Sequence, residues 1–113
     1  MNPGDVILIS LPLFGGGTPK LRPALLLANL PGPYQNLLIC GISTQLHLQE
    51  PNWDDLVQPT DADFVSSGLR HPSLIRLSYL YAADASEITG TIGFVDPSRN
   101  ERLCERLSDH LRP

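Results

Sequence analysis

The stretch GGGTPKLRPALLLAN, residues 15–29, places a charged side chain at the head of an uncharged run. Three glycines and a proline come first, then Lys20 and Arg22, and no charge follows up to Asn29. An apolar run with no polar alternation is typical of a central strand in a covered sheet, and the glycines and proline before it predict a loop. Arg22 therefore either guards a strand end or belongs to a site.

The rest of the chain predicts mostly strands. Short β-branched or apolar runs bounded by Gly and Pro favour strands, and the acidic stretch 47–72 has room for one edge strand and a single helical turn. Besides 22–29, the predicted strands are 5–11, 36–43, 73–84 and 91–95. This order predicts one mainly β (α+β) domain over residues 1–113, barrel-like in form.

One helix is predicted at the C-terminal end. Asp96 is a suitable N-cap, and Pro97 fits the first helical position. Leu103, Leu107 and Leu111 recur every four residues, so they are expected to lay one leucine stripe on the sheet, with the Arg and Glu residues of this helix facing water.

The charge balance limits the classes of partner. The chain of 113 residues has a formal net charge of −4, which argues against non-specific binding of nucleic acid. Before residue 97, however, the basic residues are confined to two short segments, Lys20 with Arg22 and Arg70 with Arg76. If these segments meet in space they form one small positive site. If they do not, they are scattered surface charge.

Several chemistries find no support in the sequence. Cys40 and Cys104 are far apart, each in a run that looks buried or amphipathic, which predicts free core thiols in a reducing compartment. His47, His71 and His110 have no second ligand at metal-binding spacing. The glycine triplet precedes a strand, whereas a phosphate-binding loop precedes a helix. No run approaches the ~18 residues of a membrane span and no signal pattern is present, so a cytoplasmic protein is expected.

Polar side chains remain at the ends of predicted strands. Such positions can reach a cleft beside the sheet, although each alone is more often a solvated strand end. In strand 73–84, Arg76 and Ser78 are expected on one face because alternate residues of a strand point the same way. The candidates are Arg22, Ser43, Thr44, Gln45, Arg76 and Ser78.

Four segments occur in a characteristic order: GDVILISLP at 4–12, RPALLLAN at 22–29, GISTQL at 41–46 and GLRHPSLIRLSYLYAAD at 68–84. Together they resemble the MazF/PemK (Kid-like) toxins of bacterial toxin–antitoxin systems, from about residue 4 to residue 110. The resemblance implies a small SH3-like barrel of the CcdB/MazF type with a C-terminal helix. It also implies a homodimeric, metal-independent endoribonuclease that needs no cofactor.

The resemblance implies roles for single residues. Arg22 matches the catalytic arginine of the family's RP pair, Ser43 stands where a Thr commonly contacts the scissile phosphate, and Arg76 matches an arginine that some PemK-type members use in catalysis. Those members have an aspartate, proposed as general base, at the position of Ser78. Here Arg22, His71 or a water would have to move the proton. The ribose 2′-OH attacks its own phosphate, leaving a 2′,3′-cyclic phosphate and a 5′-OH.

Further residues are expected to contact single-stranded RNA. They are Phe14, Lys20, Thr44, Gln45, Arg70, His71 and Ser78, and Trp53 and Tyr34 are further candidates for base stacking. Because residues 50–63 are acidic, recognition is expected to depend on stacking and hydrogen bonds more than on bulk charge. A cognate antitoxin with a disordered acidic tail is the expected protein partner, and no membrane is involved.

Two other functions stay open. Ser43 and Ser78, in place of more usual family residues, are compatible with a catalytically degenerate binding module that acts in an antitoxin and DNA-regulatory complex. A gyrase-poisoning relative of the same fold is the third possibility. Such inhibitors do not use the RP arginine, and they end in an aromatic segment that this chain lacks.

Overall fold

Six strands form one antiparallel sheet in the computed structural model, which describes residues 1–10 and 20–112. The strands are β1 (Asp5–Ser10), β2 (Leu21–Asn29), β3 (Asn36–Ser43), β4 (Asp55–Val57), β5 (Ser73–Asp84) and β6 (Ile88–Phe94). A one-turn helix α1 (Phe64–Ser67) precedes β5, and α2 (Pro97–Leu111) follows β6. The spatial order is β4-β5-β3-β2-β1-β6, so the sheet of described strands is open, with β4 and β6 at its edges. The predicted mainly β class with a C-terminal helix is confirmed.

Both faces of the central strands are buried, as their unbroken apolar runs predicted. On β2, Leu25 and Leu27 belong to one core cluster with Leu103 of α2, while Ala24 and Leu26 belong to a second cluster on the other face. Alternate residues of a strand point to opposite faces, so an uninterrupted apolar run supplies both cores. The predicted strand 91–95 begins earlier than expected, at Ile88, and the last residue of the predicted strand 5–11 lies outside the described residues.

The register is interrupted on β5. Gly41 of β3 pairs with Arg76, whereas its neighbour Cys40 pairs with Leu80, so residues 77–79 form a bulge. A bulge inserts extra residues into one strand and turns the following side chains away from simple alternation. The prediction that Arg76 and Ser78 share one face rested on unbroken alternation, and Ser78 lies inside this bulge.

Helix α2 starts where the sequence predicted and packs differently. The carboxylate of Asp96 accepts a hydrogen bond from the Ser98 backbone N–H at 2.9 Å, and Pro97 takes the first helical position. Leu103 is fully buried, but Leu111 is 69% exposed, so the leucine stripe does not reach the end of the helix. The expectation that the arginines of α2 face water is wrong for Arg99, which is only 8% exposed.

Three arginines of α2 instead pair with the acidic segment around β4. Arg99 donates to both carboxylate oxygens of Asp63, at 2.8 and 2.9 Å, and to Asp55 at 2.7 Å. It also reaches Asp61 at 3.1 Å. We refer to these groups as the ion-pair cluster, which comprises Asp55, Asp61, Asp63, Arg99, Arg102 and Arg106. The acidic stretch is therefore largely neutralised within the fold.

The ion-pair cluster makes stability depend on acid pH. Hydrogen bonds from Arg99 lower the pKa of Asp63 to about 2, despite the opposing effect of burial. Burial alone would raise the pKa of Asp55, but its bonds from Arg102 and Arg99 outweigh this effect and lower it. A carboxylate whose pKa is depressed by folding stabilises the fold above its unfolded value of about 4, and this stabilisation is lost as the pH falls toward the folded value.

We expect Asp63 to contribute about 2 kcal/mol to the free energy of unfolding at neutral pH, lost between about pH 4 and about pH 2. Urea unfolding of the wild type and of Asp63→Asn across this range measures the contribution. The two proteins should differ at neutral pH and converge in acid. Curves that stay parallel throughout would show that Asp63 does not carry this pH dependence.

Helix α1 is joined tightly to β6 by glycine. Gly68 ends α1 in the left-handed region at φ +75°, where residues with a side chain are strained. A Cβ at Gly68 would overlap the carbonyl of Ile92, and one at Gly93 would overlap that of Ser66. These two glycines therefore allow backbone-to-backbone contact between α1 and β6, and they fix the segment that leads into Arg70 and His71.

Candidate functional site

Two adjoining clefts lie beside the start of β2 and the end of β3. The larger has a volume of about 570 Å³ and the smaller about 190 Å³, and Arg22, Ile42, Ser43 and Gln45 line both. The larger volume is in the range of small-molecule sites. Its other lining residues are Leu8, Pro23, Thr44, Gly68, Leu69, Arg70, His71, Ser73 and Ile92. The smaller cleft also contacts Gly41, Leu48, Arg76 and Tyr79.

Strand register explains why the two arginines meet. Gly41 of β3 pairs with Ala24 of β2 on one side and with Arg76 of β5 on the other. Arg22 lies two residues from Ala24, and therefore on the same face of β2. Gly41 has no side chain, so space remains between the two guanidinium groups. The two basic segments, widely separated in sequence, thus contribute to one concave region.

Arg22 is the half-buried cation shared by both clefts. It pairs in register with Ile9 of β1, which fixes its backbone near the edge of the apolar run. Among residues 1–10 and 20–112, no carboxylate forms an ion pair with it. An arginine that is partly desolvated and not neutralised by a described carboxylate can bind two oxygens of an anion through its planar donor edge.

Ser43, the last residue of β3, is the hydroxyl-bearing residue that lines both clefts among the described residues. Its Oγ accepts a hydrogen bond from the backbone N–H of Gln45 at 3.1 Å, which leaves the hydroxyl proton available for donation. This bond also forms the turn in which Thr44 and Gln45 are exposed at the end of the strand. The predicted Ser-Thr-Gln segment therefore presents one oriented hydroxyl and two further polar groups to the larger cleft.

Arg76 also lines the smaller cleft, and the side chains of Asp54 and Tyr79 contact its guanidinium. Its side chain is 14% exposed, and its Nε is 3.3 Å from Oδ2 of Asp54. The guanidinium carbon lies 4.8 Å from the centre of the Tyr79 ring, a cation–π contact. Both Arg76 and Tyr79 line the smaller cleft. The cation is therefore available to a ligand, and neighbours fix its orientation.

The remaining sequence candidates divide into three groups. Arg70 and His71 are exposed and line the larger cleft. Lys20 and Ser78 line neither cleft. Lys20 is exposed just before β2, and the Ser78 hydroxyl accepts a hydrogen bond from the Trp53 indole N–H at 2.9 Å. Phe14 lies outside the described residues. The possible stacking residues Trp53 and Tyr34 also line neither cleft.

Two residues of the site were missed from the sequence. Tyr79 lines the smaller cleft and stacks on Arg76, but the sequence pattern placed it with Ile75 and Leu77 on the other face. Asp54, counted among repelling acidic residues, is buried against Arg76 instead. The bulge and the ion pair cause these differences. Neither has a local sequence signature.

Metal-binding clusters and membrane-spanning helices are absent from the described part of the chain. There, no group of three or more His, Cys, Asp or Glu side chains is arranged to hold a metal ion. The cysteines are free, as predicted, and burial raises the pKa of the Cys40 thiol. No helix within residues 1–10 and 20–112 is long and apolar enough to cross a membrane.

Comparison with known proteins gives the class to which this fold and cleft belong. The profile of the PemK-like, MazF-like toxins of type II toxin–antitoxin systems matches residues 2–111. The match extends over nearly the whole chain, and the protein therefore belongs to this family. No curated protein sequence matches the chain significantly.

Solved structures share the fold at low sequence identity. The chain is similar to the Mycobacterium tuberculosis toxin MazF-mt6, with a TM-score of 0.68, 18% identity and 95% of each chain covered. It is also similar to an endoribonuclease from a mycobacterial species, solved in complex with its cognate antitoxin. That TM-score is 0.71 at 16% identity, and the alignment covers 100% of this chain and 97% of the other. At such identities the likeness shows the fold alone.

Proposed function

We propose that the protein is an endoribonuclease toxin that cleaves single-stranded RNA at the smaller cleft. The observation that carries this proposal is the meeting of Arg22, Ser43 and Arg76 at one cleft from three adjacent strands, β2, β3 and β5. Two cations and a hydroxyl donor in one concave place suit a phosphodiester. Membership of a toxin family and the fold shared with an endoribonuclease support the same conclusion.

The chemistry follows from these donors. When the ribose 2′-OH attacks the neighbouring phosphorus, negative charge accumulates on the phosphoryl oxygens, and the bond to the 5′-oxygen breaks. Arg22 and Arg76 stabilise that charge through fixed N–H donors, and Ser43 adds a third hydrogen bond. The products are a 2′,3′-cyclic phosphate and a 5′-OH. DNA lacks the attacking hydroxyl and is bound but not cut.

The larger cleft is proposed to hold the nucleotide next to the scissile phosphate. Its walls combine apolar side chains such as Leu69 and Ile92 with the polar groups of Thr44 and Gln45. A base can pack on the former and form hydrogen bonds with the latter, which is how single-stranded RNA is usually read. Arg70 at the same cleft supplies a cation for the adjoining phosphate.

No carboxylate is among the described residues that line either cleft, so the proton of the 2′-OH needs another acceptor. His71 lines the larger cleft, and histidine is the side chain best suited to proton transfer near neutral pH. Ser78 forms a hydrogen bond with Trp53 instead, and a serine hydroxyl is a poor base in any case. We assign the role of acceptor to His71 or to a water held beside it, and the same group then returns the proton to the departing 5′-oxygen.

Incubation of the purified protein with single-stranded RNA in excess EDTA tests the proposal. We expect cleavage that EDTA does not reduce, with fragments ending in a 2′,3′-cyclic phosphate, because the cleft uses arginine donors. An oligonucleotide with a single 2′-deoxy position at the cut site should stay intact. Intact RNA at high protein concentration, with folding verified by circular dichroism, would contradict the proposal.

A second candidate is a binding module that keeps the fold without the chemistry. It is favoured by one observation, the hydrogen bond between Trp53 and Ser78 at the position where related toxins have an acidic residue. In both cases a cognate antitoxin with an acidic segment is the proposed partner of Arg22 and Arg76. Expression without an antitoxin distinguishes the two functions, because growth arrest indicates the toxin and normal growth the binding module.

A further inference from the structure

We infer that Asp54 is a positioning residue for Arg76, which it orients so that the two terminal nitrogens of the guanidinium bind the scissile phosphate. This inference rests on the proposed function, since it concerns the same cleft. Asp54 itself lines neither cleft. It acts through the side chain of Arg76 and through a hydrogen bond to the backbone of the following residue, Leu77.

The carboxylate of Asp54 is fixed on all sides. Its side chain is fully buried. One oxygen, Oδ1, accepts a hydrogen bond from the Leu77 N–H at 3.2 Å, and the other, Oδ2, accepts one from the Glu50 N–H at 2.9 Å. The first bond is made to the residue directly after Arg76, at the start of the β5 bulge. The carboxylate is therefore oriented by the backbone before any contact with the arginine is made.

Arg76 offers Asp54 only one of its edges. The contact at 3.3 Å is to Nε, and its geometry is that of an ion pair without a hydrogen bond. Tyr79 covers one face of the same guanidinium. Within the described ranges, neither terminal nitrogen of Arg76 has a hydrogen-bond partner. This arrangement holds the plane of the group and leaves its forked edge for two oxygens of a ligand.

Helix α2 secures the segment that carries Asp54. One terminal nitrogen of Arg106 donates to the carbonyls of Trp53 and Asp54, at 3.4 and 3.2 Å. The Trp53 indole N–H in turn reaches the Ser78 hydroxyl inside the β5 bulge. Both sides of the Asp54–Arg76 contact are thus tied together independently of the contact itself, so its loss need not displace the segment.

The negative charge of Asp54 allows kcat and KM to distinguish a positioning role from a role in folding or RNA binding. A carboxylate beside Arg76 weakens the attraction of the smaller cleft for a phosphate in the ground state. Its benefit is geometric, because an oriented donor acts on the charge that develops in the transition state. Removal of the charge should therefore lower kcat and leave KM unchanged or reduced. Damage to the fold or to RNA binding would raise KM.

The test is a double-mutant cycle on RNA cleavage with Asp54→Asn, Arg76→Ala and the double variant. We expect Asp54→Asn to lower kcat about tenfold or more with no rise in KM, because a misoriented donor loses much of its effect. In the Arg76→Ala background, the same change should have no further effect on kcat. Glu50→Gln is the matched control, since it removes an exposed negative charge from the same segment, and it should match the wild type.

Equal effects of Asp54→Asn in both backgrounds, or an unchanged kcat in the single variant, would overturn the inference. If Asp54→Asn does not fold, Arg76→Lys replaces it. Lysine has no separate Nε edge for Asp54, so kcat should fall nearly as far as in Arg76→Ala, and a lysine variant with most of the wild-type kcat would overturn the inference.

A readout without catalysis separates this inference from the proposed function. The buried Nε–H of Arg76 in ¹⁵N-labelled protein should exchange slowly with water in the wild type and in Glu50→Gln. It should exchange rapidly in Asp54→Asn, because a guanidinium that is no longer oriented can turn this group toward water. Equal exchange in all three proteins would overturn the positioning role. A wild type that leaves RNA intact but shows the expected exchange would refute only the proposed nuclease.

Discussion

Replacement of Arg22 by alanine is expected to reduce the rate of RNA cleavage about a hundredfold or more, because a preorganised donor to the transition-state charge is lost. Arg22 is the only cationic side chain among the described residues that lines both clefts. It forms no ion pair with a described carboxylate, so its removal leaves no buried charge uncompensated. The melting temperature should therefore stay close to that of the wild type. Initial rates on single-stranded RNA and a thermal melt measure the two effects.

Two variants make the result for Arg22 specific. Arg112→Ala removes an exposed arginine at the end of α2, far along the chain from β2, and should cleave like the wild type. Arg22→Lys keeps the charge without the fork-like donors and should recover only part of the rate. If Arg22→Ala cleaved RNA as fast as Arg112→Ala, the smaller cleft would not be the catalytic site.

Replacement of Arg99 by alanine is expected to lower the free energy of unfolding by about 3–5 kcal/mol, because it breaks a buried ion pair and leaves carboxylates unpaired. Arg99 bonds Asp55, Asp61 and Asp63 at once, and it also donates to the carbonyl of Leu56 at 2.9 Å. Without it, Asp61 and Asp63 lose their ion pairs with α2, and β4 keeps only those that Arg102 and Arg106 form with Asp55. Urea unfolding at neutral pH measures the change.

Arg102→Ala is the matched control for Arg99. Arg102 lies on the same helix and bonds the same Asp55 at 2.8 Å, but its side chain is 45% exposed. Exposed pairs contribute about 0–1 kcal/mol, since water screens them and the side chain loses freedom. The two variants should therefore differ severalfold. Equal, small losses would mean that burial of the ion-pair cluster is not what makes Arg99 important.

Features of the sequence that depend on neighbouring residues predicted the fold well. The uninterrupted apolar runs of β2 and β3 predicted strands covered on both faces, and both faces are buried. The Asp96 cap and Pro97 predicted the start of α2 to the residue. These signals are local, because capping and pleat alternation are decided within a few positions along the chain.

The sequence pattern could not predict which residues far apart in the chain contact each other. Nothing near Arg99 indicates that its partners lie at Asp55 and Asp63, and helical periodicity assigned the arginine to water. The bulge at residues 77–79 was likewise not predicted, since alternation cannot reveal an insertion in the pairing. The convergence of Arg22 with Arg76 was expected from a family resemblance, and its structural basis is the register of three strands. The roles of the site residues stay predictions.

The ion-pair cluster also constrains when the domain can complete its fold during synthesis. The acidic residues of segment 55–63 leave the ribosome well before residues 99–106, which neutralise them. The same arginine helix anchors the backbone beside Arg76. A nascent chain that extends through β6 but not to Arg106 thus contains every described residue that lines the clefts, but it lacks part of the ion-pair cluster. The complete fold therefore forms only after residues 99–106 have been synthesised.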